Sequence, residues 1–122
     1  MAGNSIGKYY VLTSFGESHG EGIGGIIDGC PAGFSINLEQ IQSELAKRRP
    51  GNSDWVTRRN EPDQLKILSG LFEGKTTGAP IGFFVDNLDV SDKDYEGIRT
   101  IYRPSHADYC WHRKYGIRDH RG

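Results

Sequence analysis

The stretch YYVLTSFGESHGEGIGGIIDG, residues 9–29, decides how the chain begins to fold. Residues 9–15 are rich in β-branched and aromatic side chains, the composition of a strand. Residues 16–25 hold five glycines and read as a connection. Ile23, Ile26 and Ile27 resume a β-type run, and the turn signal Asp28-Gly29 with Pro31 closes it. The expected local structure is a β-hairpin with the polar residues Glu17, Ser18 and His19 at its bend.

Two enzymatic patterns overlay this stretch, and both lack their context. Gly16-Glu17-Ser18-His19-Gly20 fits the nucleophile elbow G-x-S-x-G, which needs a strand before it and a helix after it. The glycines at 20, 22, 24 and 25 each cost a helix roughly 1 kcal/mol relative to alanine, which argues against that helix. Gly20 to Gly25 fits the dinucleotide fingerprint G-x-G-x-x-G, whose third glycine should open a helix. Here β-branched residues and a turn follow instead. Glu44 lies near the spacing of a ribose-binding acid but falls inside a predicted helix.

That helix covers residues 37–49. Asn37 caps it, Gln40 completes a capping box, and Leu38, Ile41 and Leu45 form one apolar face. Arg48 and Arg49 lie in its last turn, and Pro50-Gly51 stops it. Leu65, Ile67 and Leu71 predict a strand region, residues 73–78 a turn, and residues 81–85 a second strand. Ser91 and Asp94 form another capping box, so a short helix is expected over residues 93–101, ended by Pro104. Beyond Ser105 the sequence is polar, aromatic and basic without clear periodicity. There is no internal repeat, low-complexity segment or linker.

The chain has 122 residues, enough for one modest core, and a net charge of -1, which gives no global attraction to nucleic acid or membrane. Charge is nevertheless uneven. Residues 1–98 carry nine basic and fourteen acidic side chains, whereas residues 99–122 carry six basic and two acidic ones plus three histidines. The basic end reads either as a solvated tail or as a surface for an anionic ligand. Cys30 and Cys110 make no disulfide framework, so a reduced, cytoplasmic protein is the expectation. The N-terminus has no apolar signal core, and no apolar run approaches the ~20 residues of a membrane span. His106, Cys110 and His112 are close in sequence but show no standard zinc spacing, so no metal is expected.

The arginines carry more chemistry. Arg48 and Arg49, with Arg58 and Arg59 behind them, read either as cations complementing a helix C-terminus or as a clamp for carboxylates or phosphates. Arg103 and His106 follow the same logic beside Pro104, whose ring fixes the local backbone. From the residues alone the expectation is an enzyme for a polyanionic small molecule.

Four longer segments resemble the chorismate synthase family. FGESHGEGIGGIIDGCPAG resembles its first signature, and KRRPGNS its R-R-P-G segment. EPDQLKILSGLFEGKTTGAPIG resembles its central S-G…T-T-G-x-P-I block, and YRPSHADYCWHRKYGIRDHRG its R-P-G-H-A-D segment with the K-Y-G-x-R-D-x-R-G continuation. The resemblance implies an α+β fold, a β-α-β sandwich of antiparallel sheets around helices, of which this chain is an N-terminal portion. It places residues 1–122 as part of a single domain, truncated before a glycine-rich G-R-S-S-A-R-E-T segment, and inactive when isolated.

The same resemblance implies a lyase of the shikimate pathway, on the route to aromatic amino acids. It would convert 5-enolpyruvylshikimate 3-phosphate to chorismate by anti-1,4-elimination of phosphate. Reduced FMN would lend an electron transiently for C–O cleavage, with NADPH only as a flavin reductant. The implied partner is the small-molecule substrate, with neither nucleic acid nor membrane, in a homotetramer when full length. By motif, His19 would serve the leaving phosphate with Ser18 beside it. His106 would manage the reduced flavin's N1 proton, and Arg48, Arg49 and Arg103 would bind substrate or cofactor anionic groups. The alternative is a non-catalytic anion-binding or assembly fragment of that family. Two positions depart from the family pattern. Asp54 stands where a further anion-binding arginine is usual, with Arg58 or Arg59 as replacements, and Ser105 replaces the glycine of R-P-G-H-A-D.

Overall fold

The computed structural model describes residues 3–17, 20–47, 63–87 and 99–120. Its main sheet has five antiparallel strands in the order β1-β2-β3-β7-β4. These are β1 (Ser5–Ile6), β2 (Val11–Gly16), β3 (Gly22–Asp28), β4 (Leu65–Ile67) and β7 (Ile81–Asp86). A separate hairpin is made by β5 (Leu71–Phe72) and β6 (Lys75–Thr76). The helices are α1 (Leu38–Ala46) and α2 (Asp108–Tyr115). The α+β class and the antiparallel sheet follow the expectation.

The expected hairpin is the centre of the sheet: β2 and β3 pair from Val11↔Asp28 to Gly16↔Ile23. The connection is shorter than predicted, because β3 begins at Gly22 and takes in Gly24 and Gly25. Those glycines belong to the strand because rings on the neighbouring strands occupy the space a side chain would need. A Cβ on Gly24 would lie 2.5 Å from the Phe15 ring, and one on Gly25 would lie 2.5 Å from the Phe83 ring. Phe15 and Phe84 flank Gly24 across the ladder, with ring centroids 6.2 Å apart. Aromatic cover of this kind offsets the entropy that glycine costs a strand.

α1 starts where its cap predicts: the Asn37 side chain accepts from the Gln40 amide at 3.0 Å. The helix is fixed to β4 by one side-chain amide. Gln42 Nε2 donates to the Asp63 carbonyl at 2.7 Å, and the Leu65 N–H donates to Gln42 Oε1 at 3.0 Å. Its apolar stripe is formed but not buried, with Leu38 47% and Ile41 36% exposed. Arg48 and Arg49 lie outside the described residues.

Two expectations change near the C-terminus. The helix predicted over residues 93–101 falls mostly outside the described residues, and Arg99, Thr100 and Ile101 form bends rather than a helical turn. The segment after Ser105, read as aperiodic, contains α2. Its end was legible: His112, Arg113 and Lys114 occupy the last turn, and Gly116 closes it in the left-handed region at φ 73°. Its start carries no side-chain cap at Ala107, so the usual opening signal is missing. Among the described residues, no helix is long and apolar enough to cross a membrane.

Candidate functional site

A cleft of about 580 Å³ lies between the end of β2 and the start of α2. Phe15, Gly16 and Glu17 line one side, His106 and Trp111 line the other, and Arg118 closes it. The opening motif and the RPSHAD segment thus meet, although they come from opposite ends of the chain.

The β2 side is set by backbone geometry. Gly16 leaves the strand at φ 100°, where a Cβ would lie 2.3 Å from the Gly22 carbonyl oxygen. Any larger residue would push the bend off the sheet. The Gly20 N–H donates to the Glu17 carbonyl at 3.0 Å, and the Asn87 N–H donates to the Glu21 carbonyl at 2.9 Å. These bonds tie both ends of the bend and join it to the end of β7. Ser18 and His19 lie outside the described residues, between Glu17 and Gly20 in the chain.

The α2 side is built around a buried carboxylate. Asp108 is 5% exposed. Its Oδ2 accepts from the Arg103 N–H at 3.3 Å and from Arg118 Nη2 at 3.2 Å, and its Oδ1 accepts from the Tyr109 N–H at 2.9 Å. Burial by itself raises the pKa of such a group. The Arg103 N–H, the Arg118 guanidinium and the Tyr109 N–H together outweigh it and hold the carboxyl below its ordinary value. The shielding is local, supplied by Asp108's own loop and helix rather than by depth in a core. Arg118 extends the cluster: Nη1 donates to the Arg99 carbonyl at 2.5 Å, and Nη2 donates to the Ile101 carbonyl at 2.6 Å. Its guanidinium carbon also stands 4.6 Å from the Tyr102 ring centroid, a cation–π distance.

This cluster has a defined acid sensitivity. A carboxylate with a depressed folded pKa stabilises the fold above its unfolded pKa, and the contribution disappears as pH falls through the folded value. For Asp108 it is complete above the ordinary 3.8 and lost below the depressed folded pKa. Near-ultraviolet circular dichroism of the surrounding aromatic rings should therefore hold steady down to that region and collapse below it. An Asp108→Asn variant with the same acid transition would show that another group governs it.

His106 stands on a turn between these groups. Its N–H donates to the Arg103 carbonyl at 3.3 Å, and Arg103 Nη2 lies 3.2 Å from His106 Nδ1. With Pro104 second and Ser105 third at φ 61°, residues 103–106 follow the pattern of a type II turn. The third position of that turn favours glycine, so Ser105 is strained there. The left-handed conformation costs a non-glycine residue about 1–2 kcal/mol, against about 0.4–1 kcal/mol of extra unfolded-state freedom for glycine. Ser105→Gly is expected to stabilise the fold by roughly 0.5–1 kcal/mol. Urea denaturation checks this, and an unchanged or lower midpoint would contradict it.

Of the site residues expected from the sequence, the structure brings His106 to the cleft and sets Arg103 behind it. Arg48, Arg49, Ser18 and His19 lie outside the described residues, as do Asp54, Arg58 and Arg59. Sequence reading missed Asp108 and Arg118. The one signal Asp108 offered was an acidic side chain in the first turn of a helix, which the uncapped start of α2 hid. Nothing local marked Arg118, whose partners at Arg99, Ile101 and Asp108 meet it only in the folded chain.

The family model described as Chorismate synthase matches residues 10–122. The chorismate synthase of Christiangramia forsetii is 61% identical over 122 residues, which are 100% of this chain and 34% of that protein. That of Methylobacillus flagellatus is 57% identical over the same 122 residues, again 34% of the relative. A solved structure, a crystal structure of chorismate synthase, superposes with a TM-score of 0.62 at 33% identity. The match covers 93% of this chain and 27% of that one. The chain spans about a third of the length of the curated relatives it matches. With a family match over nearly its whole length, the chain belongs to the chorismate synthase family.

Proposed function

We propose that this chain supplies the N-terminal part of the active site of a chorismate synthase, a carbon–oxygen lyase. The reaction removes phosphate from 5-enolpyruvylshikimate 3-phosphate, with loss of the C6 hydrogen, and yields chorismate and phosphate with no net redox change. The observation that carries this reading is the cleft that joins Phe15, Gly16 and Glu17 to His106. Those are the two segments in which the family resemblance implies catalytic residues.

In this reading His19 serves the leaving phosphate, donating a proton or hydrogen bond, with Ser18 beside it. Arg48, Arg49 and Arg103 bind the substrate's carboxylates and phosphate, for which the guanidinium fork is suited. Reduced FMN, when bound, supplies the transient electron that helps the C–O bond break. The residues present fit that group: the rings of Phe15 and Trp111, with Ile23, would give it apolar contact, and His106 would offer a ring nitrogen. By the family resemblance, His106 would hold or move a proton at the flavin N1. NADPH enters only as a flavin reductant. The full-length protein works in the cytoplasm as a homotetramer, without nucleic acid or membrane.

A second reading, a non-catalytic fragment, draws on the exposed surface. Among the described residues Ile81 is the only buried hydrophobic residue, while Ile6, Tyr9, Phe72 and Ile117 are each at least 69% exposed. A surface like that favours association over independent catalysis.

A chimera separates the readings. These 122 residues would replace the matching segment of the Christiangramia forsetii relative. Anaerobic stopped-flow absorbance with reduced FMN and substrate should then show chorismate over many turnovers from the chimera and none from the isolated chain. A chimera that folds and binds FMN but forms no chorismate would overturn the proposal.

A further inference from the structure

Arg103 Nη2 and His106 Nδ1 are 3.2 Å apart. A guanidinium has five N–H donors and no acceptor. A hydrogen bond between the two can therefore run only one way, from Nη2–H to a bare Nδ1. The nearby carboxylate does not reverse this. Asp108 Oδ1 is 4.0 Å from Nδ1, beyond hydrogen-bond reach, and already accepts from the Tyr109 N–H.

The arrangement is held at both ends. The His106 N–H bonds back to the Arg103 carbonyl, and the Arg103 N–H bonds to Asp108. Ring and guanidinium thus ride on one turn, anchored by the carboxylate that also ties Arg118 to α2.

We propose that Arg103 is a positioning residue that fixes His106 as its Nε2–H tautomer, so that the ring meets a cleft ligand as a hydrogen-bond donor. The His106 side chain is 33% exposed and lines the cleft, so Nε2 is the nitrogen it has to offer. The ligand partner is an acceptor atom, such as an anionic oxygen or an unprotonated ring nitrogen. Nε2 can accept a proton only after it has given one away. The tautomer stands on geometry. Its catalytic meaning rests on the chorismate synthase reading, and the two fail separately because the tautomer is read without turnover.

The test is nitrogen-15 NMR on the full chain with labelled histidine, at a pH where the ring is neutral. Long-range proton–nitrogen correlations report which ring nitrogen carries hydrogen, and His106→Gln assigns the signals. The expected pattern is a pyridine-type Nδ1 and a pyrrole-type Nε2. Arg103→Lys, which still donates, should keep it. Arg103→Glu, which accepts, should invert it. A pyrrole-type Nδ1 in the unsubstituted chain would overturn the proposal even if the Glu variant fails to fold. An unchanged pattern in a folded Arg103→Glu variant would overturn it too.

Discussion

His106→Ala, placed in a full-length enzyme carrying this chain, is expected to lower turnover by roughly 10²–10⁴, the range for a lost proton-transfer group. Structure should change little. The ring lines a cleft rather than filling a core, and its side chain is one-third exposed. The substitution removes a hydrogen bond from Arg103, worth about 1.5–3 kcal/mol when one partner is charged. The anchors of the turn do not involve the imidazole, since they run from Arg118 and two backbone N–H groups to Asp108. Rates at saturating substrate and reduced FMN, with a melting curve alongside, check this. Full turnover in a folded variant would remove His106 from the chemistry. Loss of folding would instead mark it as structural.

His19→Ala should produce a loss of the same order, roughly 10²–10⁴ in turnover, with a different signature. If His19 serves the leaving phosphate, affinity for reduced flavin stays level while chorismate formation slows. His19 is assigned to this role by the family resemblance alone. Of the described residues on either side of it in the chain, Glu17 lines the cleft, and the Gly20 N–H returns to the Glu17 carbonyl. Flavin titration and single-turnover kinetics separate the outcomes. Weakened flavin binding with turnover restored at high flavin would move His19 to the cofactor side.

The ease of reading each element tracks how local its physics is. The Asn37 cap was visible because capping is settled within four residues, and the Gln40 amide indeed meets it. The β2–β3 hairpin was visible because strand composition and turn residues alternate along one short stretch. β3 was cut short in the reading because glycine opposes strand formation locally. What reverses that preference is Phe15, Phe83 and Phe84 on neighbouring strands. α2 was missed for the opposite reason: its N-terminus has no cap of its own, and Asp108 is held instead by Arg103 and by Arg118 beyond the helix.

For the site, the sequence by itself determined the chemical cast. It supplied histidines at 19 and 106, arginines at 48, 49 and 103, and motifs ordered as in one family, because residue identity and spacing along the chain encode chemistry and order but not distance in space. Only the tertiary structure decided which of them meet. Antiparallel pairing carries Glu17 to a sheet end where α2 can face it, and the Asp108–Arg118 pair folds residues 99–101 back onto that helix. The orientation of His106 was decided there as well. A hydrogen bond with a one-way donor requires two side chains to stand about 3 Å apart, and the type II turn at Pro104-Ser105 brings them to that distance.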